Sequence, residues 1–117
     1  MVSVFLSYSR RNESVVAALV HDLEALRYDV WIDRDLSGGQ RWWDRILEQL
    51  RSSDVFLLAL TAESMRSAAC RSEISYAIAL GKPVLPVLLS ADVAVNLLPP
   101  SLAALQLVDY RELSRAA

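Results

Sequence analysis

Short apolar runs alternate with amphipathic stretches along this chain. Val2 to Leu6 is apolar and gives way to Ser7-Tyr8-Ser9-Arg10-Arg11-Asn12, the pattern of a strand followed by a polar loop. Val16, Leu19, Val20, Leu23 and Leu26 then recur at helical spacing. Val30-Trp31-Ile32 reads as a second strand, ended by Asp33, and the stretch from Asp33 to Arg41 reads as a loop made permissive by Gly38-Gly39. Trp43, Ile46, Leu47 and Leu50 mark a second helix. The run from Val55 to Leu60 is apolar throughout, as in a parallel strand buried on both faces. Thr61 to Arg66 reads as a loop. Ser67 is placed to cap a helix carrying Cys70, Glu73 and Tyr76, which Gly81-Lys82-Pro83 ends. Val84 to Leu89 is a fourth strand, and Pro86 should place part of it at an edge or an irregularity. A proline-interrupted helical stretch over about Asp92 to Leu105 and a fifth strand at Gln106 to Val108 complete the pattern.

Strands alternating with helices predict an α/β fold, a parallel sheet covered on both faces. Five strands in a chain of 117 residues suggest the flavodoxin-like order 2-1-3-4-5. That order puts a switch point between strands one and three, where ligands bind outside the carboxyl ends of the strands. The loop carrying Tyr8, Ser9 and Arg10 and the segment leading to Glu73 should therefore meet at one crevice.

Composition narrows the picture further. Hydrophobic residues make up 54% and charged residues 22%, which favours a folded globular domain over disorder. The net charge of −2, with basic residues scattered, argues against a surface that holds nucleic acid through phosphate contacts. A single cysteine, Cys70, allows no internal disulfide and suits a reducing, cytoplasmic setting. No apolar run approaches the roughly 20 residues of a membrane helix, and no partner membrane is expected. His21 is the only histidine, so no zinc set and no Ser-His-Asp triad is expected. Residues 111–117 gain charge and alanine and read as the start of a linker, giving one domain over residues 1–110 and a further domain beyond it.

Several boxes, in order, resemble the Toll/interleukin-1 receptor (TIR) domain family in its bacterial style. Val4-Phe-Leu-Ser-Tyr-Ser9 is similar to the family's first box. Val30-Trp-Ile-Asp33 with Gly38-Gly39 and Trp42 resembles the second strand and its loop, and Asp54 to Thr61 resembles the third strand. Cys70-Arg-Ser-Glu73 followed by Gly81-Lys-Pro-Val84 resembles the glutamate helix and fourth strand. Some members are adaptors that self-associate, and others hydrolyse NAD to nicotinamide and ADP-ribose or a cyclic isomer. The resemblance implies Glu73 as the catalytic carboxylate of an NAD glycohydrolase in a bacterial immune or effector system, with NAD as substrate and no cofactor. It also implies other TIR domains as partners. Two departures stand out: Ala69 occupies the tryptophan position of the Trp-Cys-x-x-Glu pattern, and Arg27-Tyr28-Asp29 replaces a glycine near the end of the first helix.

Each candidate also has a plainer reading. Glu73 is either this carboxylate or an acid placed near a helix N-terminus by the dipole. Ser7, Tyr8, Ser9 and Arg10 either hold substrate or form a capped turn, and Arg10 or Arg11 is a candidate partner for a pyrophosphate. Asp33 either touches substrate or ends a strand. Trp42 is a candidate stacking ring, while Trp43 fits the core. Cys70 reads as a small buried side chain rather than a nucleophile. Leu36, with Gly38 and Gly39, is a candidate assembly contact on the loop that in this family completes the site when domains cluster. The alternative to an enzyme is a non-enzymatic TIR–TIR signalling or scaffold module.

Overall fold

The computed structural model describes residues 2–32, 40–90 and 108–110, with backbone alone for 40–43 and 109. The elements are β1 (Ser3–Ser7), a 3-10 turn (Arg10–Asn12), α1 (Glu13–Ala25), β2 (Asp29–Trp31), α2 (Gln40–Ser52), β3 (Val55–Leu60), α3 (Ala62–Arg66), α4 (Ala68–Ala79), β4 (Val84–Leu88) and β5 (Val108–Asp109). Four strands of three to six residues, in the order β2-β1-β3-β4, carry an all-parallel sheet. The two-residue β5 continues it, pairing Val108 with Val87 and Asp109 with Leu88. The parallel sheet covered by helices is thus as the hydrophobic pattern predicts, and the fifth strand is a short extension at the β4 edge.

Strand alternation sorts the core into two clusters, one on each face of the sheet. Phe5, Phe56, Leu58, Leu60 and Leu88 pack with Ile46 and Leu50 of α2 and Ile74 and Ala77 of α4. Phe5 lies between Trp31 and Phe56, with ring centroids 4.8 and 5.5 Å away. Val4, Leu6, Leu57, Ala59 and Val87 face the other way, against Val16 and Leu19 of α1. The Tyr110 hydroxyl donates to Asp22 and ties the chain after β5 to α1.

Thr61 to Arg66 corrects the expected loop, because residues 62–66 form the short helix α3. Its start is a capping box: the Ser64 amide donates to Thr61 Oγ1 and the Thr61 amide to Ser64 Oγ, both at 3.0 Å. Five residues cannot display a helical period, so the pattern is silent there. Pro86 is fully buried in β4 opposite Leu58. The ladder runs from Phe56 N–H on Pro83 O to Leu89 N–H on Leu60 O, so by alternation the Pro86 nitrogen faces away from β3. On that side, pairing among the described residues begins only at Val87, and the missing donor costs no ladder bond.

Helices α1 and α4 end alike. After α4, the Gly81 amide donates to Ile78 O and the Lys82 amide to Ala77 O, both at 3.0 Å, with Gly81 at φ 70°. After α1, the Arg27 amide donates to Glu24 O at 2.9 Å and the Tyr28 amide to Leu23 O at 3.1 Å, with Arg27 at φ 68°. The departure at Arg27 therefore keeps the turn and puts a non-glycine residue in the left-handed region. Lys82 Nζ donates to the carbonyls of Arg51 and Ser53 at 2.8 and 2.7 Å, satisfying the end of α2.

Candidate functional site

The first loop, the segment after β3 and the start of α4 meet beyond the carboxyl ends of β1 and β3. β1 runs to Ser7, one residue further than the apolar run suggests, and Ser7 is fully buried. Ser67 starts α4, its Oγ accepting the Cys70 amide at 3.2 Å. This cap fixes the phase of the helix. The buried positions of α4 are Cys70, Glu73, Ile74 and Ala77, one stripe at helical spacing turned onto the sheet. Glu73 therefore occupies a core position and keeps only 6% of its surface exposed. No acid lies in the first turn of α4, and the dipole's effect fades within that turn. Glu73 is thus not a solvated acid at a helix end.

A buried carboxylate must be hydrogen-bonded to be tolerated. Ser7 Oγ donates to Glu73 Oε1 at 2.7 Å, across 66 residues of sequence. This fixes one oxygen of the carboxylate from the floor of the sheet. Cys70 lies beside the pair. Burial pushes its thiol up, the neighbouring hydroxyls of Ser67 and Ser7 offset part of the rise, and the Glu73 charge adds to it. A raised, 2% exposed thiol stays protonated near neutral pH, as expected of an inert core cysteine.

A cleft of about 330 Å³ opens over Glu73. Residues 6–11 form one wall, and Ser67, Ala69 and Cys70 lie with Glu73 on the other. Tyr8, Ser9 and Arg10 are thus brought to one cleft with Glu73, joined by Ser7 and Arg11. Among the described residues Glu73 is the only acid in the lining, and Arg10 and Arg11 are its cations. Ala69 is exposed and puts no ring on its side of the cleft, whereas Tyr8 supplies one on the opposite side. The size suits a nucleoside unit. Asp33, Leu36, Gly38 and Gly39 lie outside the described residues, as do the side chains of Trp42 and Trp43.

Three supporting residues escape the sequence pattern. Thr61 Oγ1 donates to Asn12 Oδ1 at 2.7 Å, and Asn12 Nδ2 donates to Glu63 Oε2 at 3.5 Å. These bonds hold the first loop against α3. Asn12 and Glu63 stand 51 residues apart, and no local period links them. Among the described residues no cluster of His, Cys, Asp and Glu could hold a metal, and no helix is long and apolar enough to cross a membrane.

The fold has known counterparts. One is the TIR domain of a Toll-related receptor, TRR-2, from Hydra magnipapillata, at 18% identity, with 97% of this chain and 95% of that one covered and a TM-score of 0.74. A CMP N-glycosidase from Clostridium botulinum, BcmB, is similar over 98% of this chain and 99% of its own, at 17% identity and a TM-score of 0.67. The TIR domains of the activated Roq1 resistosome, which recognises the pathogen effector XopQ, match 75% of this chain and 57% of theirs, at 18% identity and a TM-score of 0.62. At these identities the likeness is one of fold. No curated protein matches the sequence. The family model for the TIR domain matches residues 4–117, nearly the whole length, and the chain belongs to the TIR domain family.

Proposed function

We propose that this TIR domain is an NAD glycohydrolase, with Glu73 as the catalytic carboxylate. The observation that carries the reading is the acid on the buried stripe of α4, held by Ser7 at the mouth of a nucleoside-sized cleft. Breaking most glycosidic bonds needs a second carboxyl group to protonate the leaving group. In NAD the nicotinamide is already cationic and departs as a neutral ring, taking the electrons of the C–N bond. The ribose left behind has oxocarbenium character. A single ionised carboxylate beneath it stabilises that charge and accepts hydrogen bonds from the ribose hydroxyls, an effect of roughly 2–4 kcal/mol. Water then adds to give ADP-ribose and releases a proton, or an internal nitrogen of the adenine closes a cyclic product.

Tyr8, Ser9 and Arg10 line the substrate cleft in this reading, and Asp33 and Trp42 are assigned to its far side by family resemblance. The setting is a bacterial immune or effector system in the cytoplasm, with a sensor domain elsewhere in the full-length protein. The loop carrying Leu36, Gly38 and Gly39 docks on a neighbouring TIR domain and completes the site, so clustering turns activity on. The alternative, a non-enzymatic TIR–TIR module, draws support from Ala69, which stands where the family pattern has a tryptophan. Nicotinamide release from NAD, followed by liquid chromatography, separates the two. Glu73→Gln is expected to abolish release while leaving the circular dichroism spectrum and the oligomeric state unchanged. Release that survives this substitution removes Glu73 from the chemistry.

A further inference from the structure

A second lobe adjoins the carboxylate cleft, and the bond-breaking step leaves it unused. It encloses about 360 Å³, is lined by Ser9, Arg11, Glu63, Arg66 and Ser67, and shares Ser9, Arg11 and Ser67 with the cleft over Glu73. Two arginines thus line one small space. Among the described residues neither is ion-paired or hydrogen-bonded through its side chain. Among the described residues the lobe's one acid, Glu63, is turned to Asn12 and pairs with neither arginine, so the two cations outnumber the one carboxylate. Ser9 Oγ already accepts the Arg11 amide at 3.4 Å, which leaves its hydroxyl hydrogen to donate. This excess of positive charge and a hydroxyl donor match the oxygens of a phosphate group, and guanidinium groups grip phosphate through paired N–H donors.

We propose that this lobe is an anion subsite that takes the phosphate on the 5′ side of the ribose seated over Glu73. The inference rests on the reading above, that a bond between ribose and base is broken at Glu73. It narrows the substrate class to 5′-phosphorylated nucleosides, whether mononucleotides or pyrophosphate-linked dinucleotides, and disfavours free nucleosides. It also divides the arginines. Arg11 lines both lobes and Arg66 only the second, so these two hold the phosphate, whereas Arg10 lines only the carboxylate cleft.

NAD and nicotinamide riboside share the same scissile bond, and only NAD carries phosphate. Arg66→Ala is expected to raise KM for NAD about tenfold with kcat little changed, the size of effect typical of a lost charge-assisted hydrogen bond. Turnover of nicotinamide riboside should be unaffected, and Arg66→Lys should recover part of the loss. An equal loss on both substrates, or none on NAD, overturns the subsite. If the wild-type protein cleaves no NAD even at high concentration with a crowding agent, the catalytic reading fails and the subsite is tested by titrating inorganic pyrophosphate. Saturating shifts of the Ser9, Arg11 and Ser67 amide resonances that vanish in Arg66→Ala sustain it. Their absence in the wild type overturns it.

Discussion

At the scale of single residues, the Ser7–Glu73 hydrogen bond is the contact on which the candidate site turns. Ser7 does not need to touch substrate to matter. Its hydroxyl fixes one carboxylate oxygen, and a mispositioned carboxylate loses both its aim at the ribose and the hydrogen bond that makes its burial tolerable. Ser7→Ala should lower kcat for NAD roughly tenfold with little change in KM, as for an interaction realised in the transition state. Ser7→Thr keeps the hydroxyl and should restore most of the rate. Steady-state kinetics on the two variants check this. A KM effect alone, or no rescue by threonine, would show that Ser7 acts on binding or on packing instead. The plain reading of Glu73 as helix decoration fails on burial, a property that the sequence withholds: an acid six positions into a helix looks the same in a string of letters whether it faces water or core.

At the scale of elements, the turns that end α1 and α4 are the same motif built on different residues. Gly81 adopts φ 70° without strain, and nothing lies within 4 Å of a Cβ added there. Arg27 at φ 68° carries the cost of a side chain in the left-handed region, and that side chain is exposed. Arg27→Gly should therefore stabilise the domain by about 1 kcal/mol, a rise in Tm of roughly 4 °C by differential scanning calorimetry. An unchanged or lower Tm would mean that the arginine side chain compensates for its backbone. The strands were legible because each was a continuous apolar run, and the longer helices because each showed its period or its caps. The helix α3 was not, since five residues fall below one period and the capping box uses serine in place of the usual glutamate or glutamine. Of the site, the convergence of Tyr8, Ser9 and Arg10 with Glu73 was legible from topology. Ser7 was legible as a candidate but its bond to Glu73 was not, nor were the places of Asn12 and Arg66, because these join segments far apart in sequence.

At the scale of the whole molecule, the acid of the site is built into the core of the domain. Glu73 and Ser7 belong to the packed core, so the carboxylate is set in place in a single domain. Control of activity is then expected to act on what covers the cleft. Specific activity should rise steeply with protein concentration or with a crowding agent, measured as nicotinamide released per domain. A monomer with full, concentration-independent turnover would remove assembly from the mechanism. The buried acid also bears on how such a domain drifts over generations. A carboxylate in a helix's core stripe is held at a cost in stability, and an apolar side chain of similar volume there is often neutral or stabilising. A lineage that kept the fold only for scaffolding would gain by losing the acid, and few substitutions separate glutamate from such a residue. An acid kept at position 73 thus speaks for selection on chemistry rather than on the fold alone.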